Sequence, residues 1–126
     1  NIEAIVSSKK RIGQRYNQAF KHIQEKFRLP VTHDDRSENI YWVYGMLIVD
    51  GYLEDFMNYL AANRIGSRRF FCPLHTQPIY RKLVPDSKHH LPNSEELYRT
   101  GFYIPSGLGM TNEQQDYVIE KILKYK

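Results

Sequence analysis

The densest run of groups able to hold a ligand lies between residues 68 and 80, reading Arg68-Arg69-Phe70-Phe71-Cys72-Pro73-Leu74-His75-Thr76-Gln77-Pro78-Ile79-Tyr80. Two arginines and two aromatic rings arrive on an extended segment. The chain then turns at Pro73 into a His-Thr-Gln group closed by Pro78. Hydroxyl, imidazole and amide groups donate and accept hydrogen bonds, and a guanidinium binds anions through a planar fork. Such side chains at a strand end suit a polyhydroxyl or anionic ligand. The competing assignment keeps His75 as the cap of a local turn and Arg68 as ordinary surface.

Other chemistries find less support. No GxSxG, Walker A, GxGxxG or HExxH pattern occurs. Asp34-Asp35 and Glu95-Glu96 are adjacent acids, and neighbouring side chains point in different directions, so these read as surface carboxylates. Cys72-x2-His75, with His89-His90 downstream, has a spacing that zinc accepts. A single cysteine and two adjacent histidines make a poor ligand set, so no metal site is expected.

The elements that would position residues 68–80 follow from apolar periodicity. Ile2, Ile5, Ile12, Tyr16, Phe20, Ile23 and Phe27 recur at helical spacing, predicting a long amphipathic helix over 1–29 that Pro30 ends. Gly13 interrupts it at a cost of roughly 1 kcal/mol against alanine. After a polar loop, Ile40–Val49 is aromatic and β-branched and reads as a strand. Asp50-Gly51 breaks it, Leu53 to Asn63 forms a second helix, and Arg68–Cys72 a second strand, so residues 40–72 are strand, helix, strand.

Residues 73–92 carry Pro73, Pro78, Pro85 and Pro92 with His75, His89 and His90, a texture that predicts a long loop without regular helix. Residues 93–126 read as helix, strand, helix, with Asn93 or Ser94 capping the first and Thr111 and Gln114 forming a capping box on the last. The expected fold is a single α/β domain of α+β-like character over 1–126. It has a small sheet of about three strands, helices packed on one face and strand directions left open.

Composition bounds the function. The 126 residues carry a net charge of +4. Residues 1–28 hold seven basic side chains (Lys9, Lys10, Arg11, Arg15, Lys21, Lys26, Arg28) against Glu3 and Glu25, or +5, which leaves −1 for the rest. A basic face confined to one helix reads as solvated surface, and no nucleic-acid-binding pattern accompanies it. No apolar run approaches the roughly 18 residues of a membrane span. The lone Cys72 points to a reducing, cytoplasmic setting. The chain opens on Asn1 rather than methionine, inside an apparent helix, as a piece of something longer would.

Several motifs occur in a telling order. A helix of the form RR-x-I-x-x-x-Y is represented by Lys10-Arg11-Ile12-Gly13-Gln14-Arg15-Tyr16-Asn17, and an aromatic strand by Tyr41-Trp42-Val43-Tyr44. Ile65-Gly66-Ser67-Arg68 follows, with serine where the pattern has threonine. Pro73, Leu74, His75, Gln77, Pro78 and Tyr80 match a Pro-Leu-His-x-Gln-Pro-x-Tyr run. Ile104-Pro105-Ser106 and then Glu113, Gln114, Tyr117 and Val118 complete the set. Together they resemble the C-terminal small domain of nucleotide-sugar aminotransferases that use pyridoxal 5'-phosphate (PLP), the DegT/DnrJ type of fold-type I, with perosamine synthetase-like enzymes nearest.

The resemblance implies transfer of an amino group from glutamate to a nucleotide-linked keto-sugar by a cytoplasmic homodimer, in making surface polysaccharide such as the lipopolysaccharide O-antigen. It places the Schiff-base lysine and most contacts to PLP in a large domain upstream of Asn1. Neither Lys82 nor Lys88 matches that lysine's motif, so this segment is expected to hold no catalytic residue and to be inactive alone. By the same resemblance His75 reaches the substrate region, and Arg68, Thr76 and Tyr80 are taken with it as substrate-binding residues. The alternative is a free-standing interaction module whose basic first helix docks an acidic partner.

Overall fold

The computed structural model describes residues 1–84 and 91–126. Helix α1 (Ile2–Phe20) starts with the Asn1 side chain accepting the Glu3 N–H at 3.0 Å, and it buries Ile12, Gly13, Tyr16 and Phe20. The apolar spacing carries a helix on to residue 27, but the helix stops at Phe20. Ile23 N–H donates to the Phe20 carbonyl and Lys26 N–H to that of Ile23, so the chain turns. It then enters strand β1 (Phe27–Arg28). Phe27 is drawn there by its partners: it pairs with Ile48, and its ring lies 4.9 Å from Phe56 and 6.1 Å from Phe102. Burying a phenylalanine stabilises by about 2–3 kcal/mol, more than one further helical turn supplies.

Next come β2 (Tyr44–Ile48), α2 (Leu53–Ala62), β3 (Arg68–Arg69), a single 3-10 turn (Leu74–Thr76) and α3 (Pro78–Leu83). Helix α4 (Pro92–Thr100), strand β4 (Gly101–Ile104) and α5 (Asn112–Leu123) complete the order. The proline-rich stretch therefore does contain a regular helix. Pro78 stands at its first position, where a missing N–H costs nothing because no carbonyl precedes it in the helix. Helix α4 begins at Pro92 rather than after Asn93 or Ser94. Pro85, Lys88, His89 and His90 lie outside the described residues.

The sheet has four strands in the order β1-β2-β4-β3, every neighbouring pair antiparallel. The strand beyond the expected three is β1. Strands β2 and β3 consequently run the same way with β4 inserted between them, which makes β2-α2-β3 a split βαβ unit. Tyr44, Met46 and Ile48 alternate with less buried neighbours and share one face with Ile104, Phe102 and Phe27, their respective partners in register. Tyr16 and Phe20 of α1, Leu53, Phe56 and Leu60 of α2, and Val118 and Ile122 of α5 join these strand residues in one core. On the opposite face the Phe70 ring stacks on Tyr103 at 4.6 Å.

The core is aromatic and its polar ends are matched. The Tyr44 hydroxyl donates to Asn17 Oδ1 at 2.7 Å, and Asn17 Nδ2 donates to the Tyr41 hydroxyl at 2.7 Å. Tyr16 donates to the Pro105 carbonyl at 2.7 Å. Burial pushes the Tyr16 and Tyr44 hydroxyls far above the ordinary tyrosine range. Gly13 is no blemish. The Tyr41 ring lies directly on it, and a Cβ at residue 13 would sit 2.2 Å from Tyr41 Cγ.

Candidate functional site

The loop after β4 is held from three sides. Tyr16 binds the Pro105 carbonyl, Lys9 Nζ donates to the Ser106 carbonyl, and Ser106 Oγ accepts the Tyr44 N–H at 3.2 Å. Burial lowers the pKa of the Lys9 ammonium. The capping box foreseen for the last helix is present, with Thr111 Oγ1 accepting the Gln114 N–H and Gln114 Oε1 accepting the Thr111 N–H. These contacts fix the wall of a cavity of about 680 Å³ lined by Arg64, Ile65, Gly66, Pro105, Met110, Glu113 and Val118, among others. That volume is ordinary for a small-ligand site. A second cavity of about 250 Å³, lined by Ser67, Arg68 and Tyr103, shares Gly66 and Pro105 with the first. The two form one groove along the end of the sheet.

Arg68 is exposed on the edge strand β3 and lines the smaller cavity. Its neighbour Arg69 is engaged instead with Glu54, and its guanidinium lies 5.5 Å from the Tyr98 ring centroid. His75 sits in the 3-10 turn with its side chain 9% exposed, and its Nε2 is 2.9 Å from Glu95 Oε1 of α4. Glu95 is therefore not merely a surface acid: it ties the turn to a helix 20 residues on. An ionised carboxylate only accepts, so the proton of this bond resides on Nε2 and Nδ1 is left for another partner.

Thr76 Oγ1 donates to the Pro73 carbonyl at 2.7 Å and lies 3.1 Å from Cys72 Sγ, so its hydroxyl serves the turn. Tyr80 is half-buried in α3. Neither His75, Thr76 nor Tyr80 lines the Arg64–Arg68 groove. The expected quartet thus falls into two places, Arg68 at the groove and the other three around the His75 turn. Among the described residues no three His, Cys, Asp or Glu side chains gather as metal ligands.

Arg64, which belongs to none of the motifs, and Glu113, a motif residue to which the sequence assigned no binding role, also line the groove. Arg64 follows the C-terminus of α2, where Ile65 N–H donates to the Leu60 carbonyl at 2.9 Å and Arg64 N–H to that of Ala61. This reverse turn needs a left-handed residue, and Arg64 supplies it with φ +58°. A side chain there costs roughly 1–2 kcal/mol that glycine would not. The readable signal was an arginine where a helix end calls for glycine. Glu113 stands in the first turn of α5, where its own backbone N–H and the Thr111 hydroxyl hold its carboxyl below the usual range.

The described residues do not fit PLP by themselves. No lysine lines either cavity. Lys9 and Lys26 donate to backbone carbonyls, Lys10 and Lys124 pair with Glu38 and Glu120, and Lys121 lies over the Tyr117 ring. Lys21, Lys82 and Lys126 are exposed. The one described lysine that lines another cavity, Lys10 beside α1, is held by Glu38, so no described lysine offers an unengaged amine inside a cavity.

Comparison with known proteins gives this geometry its setting. The chain is 29% identical over 124 residues to EpsN of Bacillus subtilis (strain 168), described as a pyridoxal phosphate-dependent aminotransferase; the match covers 97% of this chain and 31% of that protein. It is 36% identical over 72 residues to the GDP-perosamine synthase of Escherichia coli O157:H7, covering 57% of this chain and 19% of that one. In fold it superposes on the aminotransferase TlmJ from Streptoalloteichus hindustanus with a TM-score of 0.81 at 17% identity, covering 93% of this chain and 30% of TlmJ. The chain thus spans a third or less of the length of these relatives. Residues 1–123 match the DegT/DnrJ/EryC1/StrS aminotransferase family, and the chain belongs to it.

Proposed function

We propose that this chain is the part of a PLP-dependent sugar aminotransferase that walls the substrate pocket. The enzyme would move an amino group from glutamate to a nucleotide-linked keto-sugar. The match to the aminotransferase family over residues 1–123 carries this reading. The similarity to a GDP-perosamine synthase favours a perosamine-type amino sugar bound for surface polysaccharide. A cytoplasmic homodimer is the expected assembly. The cofactor, when bound, supplies the electron sink for the transfer, and its lysine lies outside these residues.

This chain's own groups bind and orient. Arg68 presents a guanidinium to the groove and pairs with a substrate phosphate or the donor's carboxylate. His75, held through Nε2 by Glu95, turns Nδ1 toward the sugar, and Thr76 and Tyr80 shape the same turn. The interaction-module alternative is weakened by the basic helix itself. Lys9, Lys10 and Arg15 contact Ser106, Glu38 and Asp116 of the same chain, so much of that charge is engaged at home.

The test is steady-state kinetics of His75→Ala and Arg68→Ala in the full-length protein, with glutamate and a nucleotide-linked 4-keto-sugar. A rise of about tenfold in KM is expected for Arg68→Ala, the size of one charge-assisted contact. Unchanged KM and kcat in both variants would refute the assignment. Absence of a stoichiometric PLP absorbance band from the full-length protein would refute the enzyme itself.

A further inference from the structure

Five cations among the described residues pair with a carboxylate: Lys10 with Glu38, Arg15 with Asp116, Arg69 with Glu54, Arg99 with Glu96 and Lys124 with Glu120. Arg64 and Arg68, both exposed, pair with no carboxylate among the described residues and so keep their charge for a ligand. They line the two adjoining cavities on either side of Gly66, a residue whose missing side chain leaves open space within 4 Å. We propose that Arg64 and Arg68 clamp the diphosphate of a nucleotide across Gly66, with Arg64 as a further substrate-binding residue in the wall of the larger cavity. The inference deepens the nucleotide-sugar reading above and rests on it.

Three observations carry it. First, the turn at the end of α2 demands a left-handed backbone but not a charge, and an arginine occupies it at a conformational cost that glycine would avoid. A strained residue lining a cavity points to use of its side chain. A cation near a helix C-terminus also gains from the helix dipole, and that gain would exist without any ligand. Second, two guanidinium forks on one groove match two neighbouring phosphoryl groups, each of which accepts a bidentate contact. Third, the lining of the larger cavity combines a cation with apolar side chains and one carboxylate. Ile65, Met110 and Val118 offer surface to a base, while Glu113, whose carboxyl is held below the usual range, accepts hydroxyl groups rather than phosphate.

The experiment is calorimetric titration of the full-length protein with GDP, UDP and inorganic pyrophosphate, with melting temperatures recorded beside it. Arg64→Gly removes charge and strain together. It is expected to raise the melting temperature and weaken nucleoside diphosphate binding by about tenfold. Arg64→Asn keeps a residue tolerant of the left-handed turn but lacks the cation, and it should weaken binding to the same extent. Arg64→Lys should fall between. A wild-type affinity retained in Arg64→Gly and Arg64→Asn overturns the clamp, whatever happens to stability. If those variants also keep the wild-type KM for the sugar nucleotide, the clamp alone is wrong and the aminotransferase reading stands. If the wild-type protein binds neither nucleoside diphosphate, both readings fall.

Discussion

Substituting alanine for Gly13 sets two effects of opposite sign against each other. Residue 13 is inside α1, where alanine is favoured over glycine by about 1 kcal/mol. Against that stands the ring of Tyr41, with Cγ 2.2 Å and both Cδ atoms 2.5 Å from the place a Cβ would take. Ordinary contact begins near 3.4 Å, so the ring must retreat by more than 1 Å. Tyr41 has little room for this. It is buried, its backbone is left-handed at φ +53°, it stacks on Tyr44 at 6.0 Å, and its hydroxyl accepts from Asn17 at 2.7 Å. Overpacking costs about 1–3 kcal/mol and a disturbed buried hydrogen bond about 1 more, so Gly13→Ala should destabilise by a net ~1–3 kcal/mol.

For a chain of this size that is a fall of roughly 3–12 °C in melting temperature. Circular dichroism melts of the two proteins measure it, and a double-mutant cycle sharpens it. In a Tyr41→Ala background the obstruction is gone, and the same change at Gly13 should stabilise by up to ~1 kcal/mol. A stabilising Gly13→Ala with Tyr41 intact, or no change of sign between backgrounds, would refute the steric account.

Tyr44→Phe leaves Asn17 Oδ1 without its buried donor and should cost about 1–3 kcal/mol by urea denaturation. Folded Tyr16 and Tyr44 keep their protons well above pH 10, whereas tyrosines of the unfolded chain begin to lose theirs there. The unfolded state then binds fewer protons, so stability should fall above about pH 10 by up to ~1.4 kcal/mol per pH unit per tyrosine. Urea midpoints from pH 9 to 11.5 measure this slope, and Tyr44→Phe should flatten it. Thr111→Ala removes the side-chain half of the capping box on α5 and should cost about 1 kcal/mol in a thermal melt. Glu95→Ala frees the His75 ring and should raise KM for the sugar nucleotide several-fold while the PLP absorbance of the full-length protein stays unchanged.

Local grammar made much of this fold readable. The α5 start followed from Thr111 and Gln114, whose reciprocal bonds form between residues three apart. Helix α2 and strands β2 and β4 followed from runs whose apolar period matches a single buried face. Phe27 misled because its spacing fits a helix as well as it fits β1, and its partners Ile48, Phe56 and Phe102 lie far along the chain. Pro78 misled because proline forbids a helix interior but not a first position.

The site divides in the same way. Sequence by itself determined that Arg68, His75, Thr76 and Tyr80 belong to one short polar segment between prolines, and that the ordered motifs place the chain in an aminotransferase family. Only the tertiary structure decided that Arg68 faces the groove while His75 leans on Glu95, because one depends on which edge β3 takes beside β4 and the other on a contact across 20 residues. Arg64 joined the groove by the same route: a backbone turn and a cavity wall are properties of the packed chain, and no spacing of residue types encodes them.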